Sequence, residues 1–185
     1  IYDSCIRVNG LIGDLFEFSK LESSEYKIEP MRIDLSEYLR EELSVLLPLL
    51  DSAGFQYDFN IPEEEIYASF DPKEIRRVLH NLIVNSIQYN REGTAITLTA
   101  EQNEKEIRVI LRDNGIGMSK ETAEHIFEAF VRGDCSRNSK SGGTGLGLSI
   151  AEKIMKAHGG TIELNTAENA GCEFTLRFPK KESKI

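Results

Sequence analysis

The chain has 185 residues, 29% of them charged, and a formal net charge of −9. That length suits one substantial domain, or one domain with an appendage, and the acidic balance argues against a grip on DNA or RNA backbones, which depends on clustered Lys and Arg. No apolar run approaches the roughly 20 residues of a membrane-spanning helix, and Cys5, Cys135 and Cys172 lack metal-ligand spacing and read as reduced thiols of a cytoplasmic compartment.

The sequence opens at Ile1 without a signal-peptide pattern, as expected of a piece of a larger protein. In residues 1 to 23, Ile1, Cys5, Val8, Ile12, Leu15 and Ser19 alternate in steps of four and three. They form a mostly apolar seam, widened by Leu11 and Phe18. The spacing fits an amphipathic helix packed on its own domain, or one strand of a helical bundle with partners elsewhere. A polar break from Glu22 to Lys27 favours the bundle, so residues 1–25 are read as one unit, 26–181 as the main domain and 182–185 as a tail.

Short strands are expected at 27–33, 55–60 and 66–70, with a helix over 34–53 capped by Asp34 or Ser36. Asp71-Pro72-Lys73-Glu74 opens a second helix, with Asp at the cap, Pro at the first helical position and Glu three residues after the cap. Ile75, Val78, Leu79, Leu82, Ile83 and Ile87 mark its buried side. Strict alternation in Ile96, Leu98, Ala100 and in Ile107, Val109, Leu111 predicts a hairpin with one covered face. A helix is expected over 119–130, a polar Gly-rich loop over 131–145 and a helix over about 147–158 that stops at Gly159-Gly160. Strands at 161–165 and 172–178 complete an α+β two-layer sandwich, with helices on one face of a largely antiparallel sheet.

Three stretches carry candidate chemistry. Asn81 and Asn85 stand four apart, so one helical face presents both carboxamides, and Gln88 and Tyr89 extend it by a turn. Such amide oxygens suit Mg²⁺ shared with substrate phosphates, or they are an ordinary solvated face. Asp113-Asn114-Gly115-Ile116-Gly117 follows an apolar strand. Its carboxylate can accept from the exocyclic amine of adenine and its glycines permit close approach, the plainer reading being an Asn-Gly turn. Gly142-Gly143-Thr144-Gly145-Leu146-Gly147-Leu148 runs straight into a helix, where backbone amides and a helix N-terminus favour phosphate. A linker is the alternative, though Leu148, Ile150, Ala151, Ile154 and Met155 at helical spacing follow directly.

Order and spacing together resemble the sensor histidine kinases. Arg77 to Ser86 is similar to their N box, Asp113 to Gly117 to the first glycine box, Ile126-Phe127-Glu128-Ala129-Phe130 to the F box, and Gly143 to Leu148 to the second glycine box. The resemblance spans about residues 30 to 180 and implies the Bergerat ATP-binding fold. Residues 1 to 23 resemble the second helix of the family's dimerisation and phosphoacceptor hairpin. It further implies that Asn85 coordinates Mg²⁺ with Asn81 in support, that Asp113 recognises adenine beside Gly117, with Gly115 and Ile116 in the same box, and that the amides of Gly143, Thr144, Gly145, Leu146, Gly147 and Leu148 meet the phosphates of ATP. Residues 118 to 145 would form a mobile lid, from which Arg132 and Arg137 reach the γ-phosphate. Tyr89 matches an aromatic position near the phosphates. Implied partners are the kinase's own phosphoacceptor hairpin, a response regulator and a second copy in the full-length protein, with no nucleic acid. The domain would be cytoplasmic and the whole protein anchored in the membrane.

Two positions depart from the family pattern: Gln88 stands where Lys is common, and Cys172 follows Gly171 where Ser or Thr often helps a water bridge Asp113 and adenine. None of the three histidines precedes the Glu or Asp and Arg of a phosphoacceptor helix. His80 is read as packing within its helix, His125 as a surface residue, and His158 as a structural cation on a helix dipole. The acceptor is thus expected outside this sequence. Two other activities share the fold. One is a nucleotide-gated ATPase, as in gyrase, repair proteins and heat-shock chaperones, but its glutamate base has no counterpart beside Asn81. The other is an anti-sigma type serine kinase.

Overall fold

The computed structural model describes residues 2–23, 25–131 and 144–180. Helix α1 (Tyr2–Glu22) is followed by β1 (Met31–Asp34), α2 (Leu35–Ser52), β2 (Gln56–Asn60), β3 (Tyr67–Phe70) and α3 (Pro72–Tyr89). Then come β4 (Ala95–Gln102), β5 (Glu106–Asp113), α4 (Lys120–His125), α5 (Gly147–Ala157), β6 (Thr161–Thr166) and β7 (Cys172–Pro179). Five strands form one sheet in the order β2-β4-β5-β7-β6, while β1 and β3 pair apart as a ribbon. All pairs are antiparallel except β2 with β4, whose connection must cross over through β3 and α3. The largely antiparallel α+β sandwich is what the alternating segments predict.

The caps act as the sequence suggests. Asp34 accepts from Ser36 N–H at the start of α2, and Asp71 from Lys73 and Glu74 N–H at the start of α3. The β4–β5 hairpin pairs Leu98 with Leu111 and Ala100 with Val109, and all the alternating apolar residues are buried. Their inner face meets α2, α3 and α5 through Leu39, Leu43, Leu79, Leu82, Ile150 and Ile154. The opposite face stays polar, with Arg108 and Arg177 threading between Glu101, Glu106 and Glu163.

The helix expected over 119–130 is shorter, ending at His125. Beyond it the F box folds into turns that bring the chain back to the second glycine box. Phe130 N–H donates to Gly145 C=O at 2.9 Å, and Phe130 takes a positive φ of 68° that no helix allows. Two histidine readings also change. His80 is exposed on α3 rather than packed. His158 is structural but not a cation: Asp71 N–H donates to its Nε2 at 2.9 Å, so that nitrogen is bare, while Nδ1–H donates to Ile154 C=O at 2.7 Å. It staples the end of α5 to the start of α3. His125 is exposed, as expected, and bonds Glu128 at 2.7 Å, which raises its pKa.

Helix α1 rests on the sandwich through one face, Asp14, Glu17, Phe18 and Leu21. Arg77 of α3 pairs with Glu17 at 2.9 Å, Lys153 of α5 bonds Glu22 and sits 4.9 Å from the Phe18 ring centroid, and Thr144 Oγ1 donates to Asp14 Oδ2 at 2.8 Å. Of the predicted seam, Leu11, Ile12 and Leu15 point elsewhere at 37%, 60% and 52% exposure, with Phe16 beside them at 70%, whereas Phe18 packs on the sandwich. Of the remaining seam residues, Ile1, Cys5 and Val8 lie outside the described side chains.

Candidate nucleotide-binding site

The site is assembled on α3. Its apolar positions fix the helix against the sheet, so the opposite helical surface, with Asn81, Asn85, Gln88 and Tyr89, lines a cavity of about 470 Å³. Asn81 Nδ2 donates to Gly147 C=O at 3.0 Å, tying α3 to the first residue of α5. Its carboxamide oxygen is then left for the cavity, beside Asn85.

The far wall is the end of β5. Asp113 sits in register between Ile96 of β4 and Cys172 of β7 and is 2% exposed. An isolated carboxylate there would be costly, but three protein donors reach it. Gly115 N–H and Cys172 N–H donate to Oδ1 at 2.9 and 3.3 Å, and Ser86 Oγ donates to Oδ2 at 3.0 Å. The first glycine box is clamped from both sides. Ile116 N–H donates to Asn90 Oδ1 at 2.9 Å, and Asn169 N–H of the β6–β7 turn donates to Ile116 C=O at 2.6 Å. At Gly115 a Cβ would lie 1.8 Å from Asn90 Oδ1, and at Gly117, with φ +65°, 1.9 Å from Ala167 C=O. Gly117 demands glycine, because its clash is with backbone and its φ is left-handed, whereas a side chain at Gly115 would displace the Asn90 carboxamide that clamps the box.

The remaining wall is the start of α5. Asp34, Asp71 and Ser119 cap α2, α3 and α4 with side-chain hydrogen bonds, whereas Leu146 at the cap of α5 provides none. The first-turn amides of α5 therefore face the cavity with a positive dipole end and, among the described residues, no side-chain cap. The Leu146 amide is engaged by Thr144 Oγ1 at 3.2 Å, and its side chain is fully buried, so Leu146 serves packing and loop shape. Thr144, Gly145, Gly147 and Leu148 all line the cavity.

Of the residues singled out in the sequence, Asn81, Asn85, Gln88, Tyr89, Asp113, Ile116, Gly117, Thr144, Gly145, Gly147, Leu148 and Cys172 thus meet around one cavity. Gly115 and Leu146 support it from behind, and Arg132, Arg137 and Gly143 lie outside the described residues. Further residues at the cavity that sequence reading does not single out include Ser86, Asn90, Asp14 and Glu168, with Thr166 supporting from behind. Ser86 and Asn90 are only one and five residues from Asn85, and their polarity beside buried Leu82 and Ile83 was the available signal. Thr166 accepts from Met118 N–H at 3.1 Å and donates to Gly171 C=O at 2.7 Å. Cys172 Sγ lies 3.4 Å from that hydroxyl, and burial pushes the thiol up to about 11, so it remains S–H. Among the described residues no cluster of three or more His, Cys, Asp or Glu is placed to hold a metal.

A two-layer sandwich with a buried carboxylate at one end of a cavity and an uncapped helix start at the other defines an ATP-binding fold of the GHKL class. The sequence profile described as "Histidine kinase-, DNA gyrase B-, and HSP90-like ATPase" matches residues 70–182, and the chain belongs to that family. Within it, the chain is of the sensor histidine kinase kind. It is 33% identical over 183 residues to sensor histidine kinase WalK of Bacillus subtilis, covering 96% of this chain and 29% of WalK. With sensor histidine kinase RppB of Synechocystis it shares 36% identity over 177 residues, 94% of this chain and 38% of RppB. The chain therefore spans about a third of the length of these relatives. The catalytic domain of histidine kinase ThkA superposes with a TM-score of 0.71 at 31% identity, covering 83% of this chain and 97% of that one. ThkA solved with response regulator TrrA gives 0.77 at 27% identity, covering all of this chain and half of that one.

Proposed function

We propose that this chain is the catalytic unit of a two-component sensor kinase, binding Mg·ATP in the described cavity and passing the γ-phosphate to a histidine on a helical hairpin. The phosphoryl group then goes to an aspartate of a response regulator. The supporting observation is the polarity of the cavity: an acceptor-only carboxylate at the end of β5 and an uncapped helix start across from it, with two carboxamides between. Adenine amine matches the first, phosphates the second. The donor set also fits Mg²⁺. One or two neutral amide oxygens cannot enclose that ion, but Asn85, assisted by Asn81, can hold it jointly with phosphates and water. When bound, the ion would neutralise charge on the transferring group, and the protein's own contribution is positioning and electrostatics. Arg132 and Arg137 are assigned to the γ-phosphate on sequence resemblance alone.

The acceptor is none of His80, His125 or His158, which lie on α3, beside the F box and at the end of α5. The exposed seam residues Leu11, Ile12 and Leu15, with neighbouring Phe16, support residues 1–25 as a hairpin helix whose partners complete a dimeric bundle. Hydrolysis of ATP by an activated water is disfavoured, because the one carboxylate on α3, Glu74, is paired with Arg77 at 2.7 Å away from the cavity. Among the described residues no helix is long and apolar enough to cross a membrane; we place this domain in the cytoplasm and the membrane anchor elsewhere in the protein.

Calorimetric titration with Mg·ATP tests the reading. Binding by the chain that Asp113→Ala and Asn85→Ala each weaken is expected. Incubated alone with γ-labelled ATP, the chain should acquire no phosphohistidine, while a phosphoacceptor hairpin added in trans should become labelled. Label on one of this chain's own histidines would overturn the assignment.

A further inference from the structure

Ser86 occupies a place that the functional reading leaves unused. It lies on the inner side of α3 and is 1% exposed, yet it borders the cavity next to Asp113. A serine inside a helix commonly bonds back to the carbonyl four residues earlier. Here the hydroxyl is directed across to Asp113 Oδ2 at 3.0 Å.

That bond decides which hydrogen-bond functions the wall offers. Oδ1 already takes two backbone donors, from Gly115 and Cys172, and its lone pairs are filled. Oδ2 takes one donor and keeps one acceptor position. A carboxylate can only accept, so the Ser86 hydrogen is committed to it, and Ser86 Oγ presents lone pairs alone. The wall therefore offers two adjacent acceptors, Asp113 Oδ2 and Ser86 Oγ. No neighbouring hydroxyl can replace Ser86, because Thr166 spends its hydrogen on Gly171 C=O and Cys172 carries only a weakly bonding thiol.

We infer that Ser86 is a specificity-determining residue of this site: it locks Asp113 as an acceptor and adds a second one, so the pocket selects a base whose edge bears an NH₂ group. Each hydrogen of such an amine finds a partner. A 6-oxo purine sets its carbonyl lone pairs against both oxygens and leaves them desolvated and unpaired, which is far costlier than a lost contact. The inference deepens the nucleotide reading above and rests on it.

The test pairs a change in the protein with a change in the ligand. The full chain and its Ser86→Ala and Ser86→Cys forms are titrated with Mg²⁺ and three triphosphates: ATP, inosine triphosphate and purine riboside triphosphate, which has hydrogen at position 6. Wild type should prefer ATP to both. Ser86→Ala should weaken ATP by about tenfold while changing purine riboside triphosphate less than about twofold, so that the ATP preference falls by a similar factor. Ser86→Cys, close in volume, should lie between, and it supplies the same ratio if the alanine form is poorly folded. Equal losses for all three ligands would reduce Ser86 to a packing residue and overturn the inference with the nucleotide site intact. Failure of the wild-type chain to bind any of them would overturn the site itself.

Discussion

At one end of the cavity Asp113, Ser86 and Cys172 belong to the buried body of the sandwich, at 2%, 1% and 6% exposure, whereas at the other Thr144 and Gly145 stand partly exposed on a loop that also touches α1. The first end is fixed by strand register and by three donors converging on one carboxylate. The second is fixed by an uncapped helix start and by contacts to a neighbouring helix. The difference separates two tasks. On the proposed reading, base recognition would be built into the fold and share its stability, while phosphate binding would be exposed to whatever moves α1. Substitutions at the first end should therefore lower both folding and affinity, and those at the second should move affinity with folding unchanged.

The largest effect is expected for Asp113→Ala. It removes the acceptor of Gly115, Cys172 and Ser86 and leaves three buried donors unpaired. Affinity for Mg·ATP should fall on the order of a hundredfold, and stability by about 2–4 kcal/mol. Calorimetry and denaturant titration would measure the two losses. An affinity loss without any loss of stability would break the claim that this end is part of the core.

Next comes Gly117→Ala, where the new methyl meets Ala167 C=O at 1.9 Å in a left-handed conformation. Either the β6–β7 turn or the first glycine box must shift. About 1–3 kcal/mol of stability should be lost, read as a lower melting temperature, with weaker nucleotide binding alongside.

The same contrast explains what the sequence made legible. Periodicity is a core property, so the hairpin, α3 and the final strands could be read from alternation and helical spacing, and motif residues riding on them were brought together as expected. Phe130 is different. Its left-handed backbone follows from a bond to Gly145, fifteen residues on, and helical spacing in 119–130 gave no sign of it. Ser86 and Thr166 were missed because a serine or threonine beside apolar neighbours reads as a spacer until its partner across the fold is known. Asp14 is the extreme case, since its partner Thr144 is 130 residues away and only the docking of α1 reveals it. The charge placed on His158 failed for a related reason: a helix end suggests a cation, but a tertiary contact from Asp71 N–H needs a bare nitrogen.

The Cys172 thiol gives a pH test confined to the buried end. Burial, reinforced by Asp113 and partly opposed by the Thr166 hydroxyl, raises it from 9.0 to about 11. The unfolded chain thus ionises this thiol first, and the folded chain holds the proton. Its contribution to stability is whole below pH 9 and is lost as pH rises toward 11, at most about 3 kcal/mol. Tyr38 and Tyr26, raised from 10.0 chiefly by burial, add a loss that begins near pH 10 with or without the thiol. The difference between wild type and Cys172→Ser isolates the thiol: the serine form should decline less between pH 9 and 11 in urea titrations, keeping only the tyrosine contribution. Parallel declines would show that the thiol is solvated.

The smallest effect is expected at the exposed end, from Asp14→Asn. Thr144 Oγ1 now donates to the Asp14 carboxylate, which borders the cavity on the side of the α5 amides. A carboxylate there opposes incoming phosphates, whereas the amide keeps the hydrogen bond and removes the like charge. At low ionic strength Mg·ATP should bind about two- to fivefold more tightly to the variant. The gain should shrink with added salt, because this end is open to solvent. Stability should change by less than about 0.5 kcal/mol, as for other surface substitutions. Unchanged affinity at low salt would place Asp14 too far from the phosphates to matter. A large loss of stability would mean that α1 belongs to the core after all, and the distinction between the two ends would no longer hold.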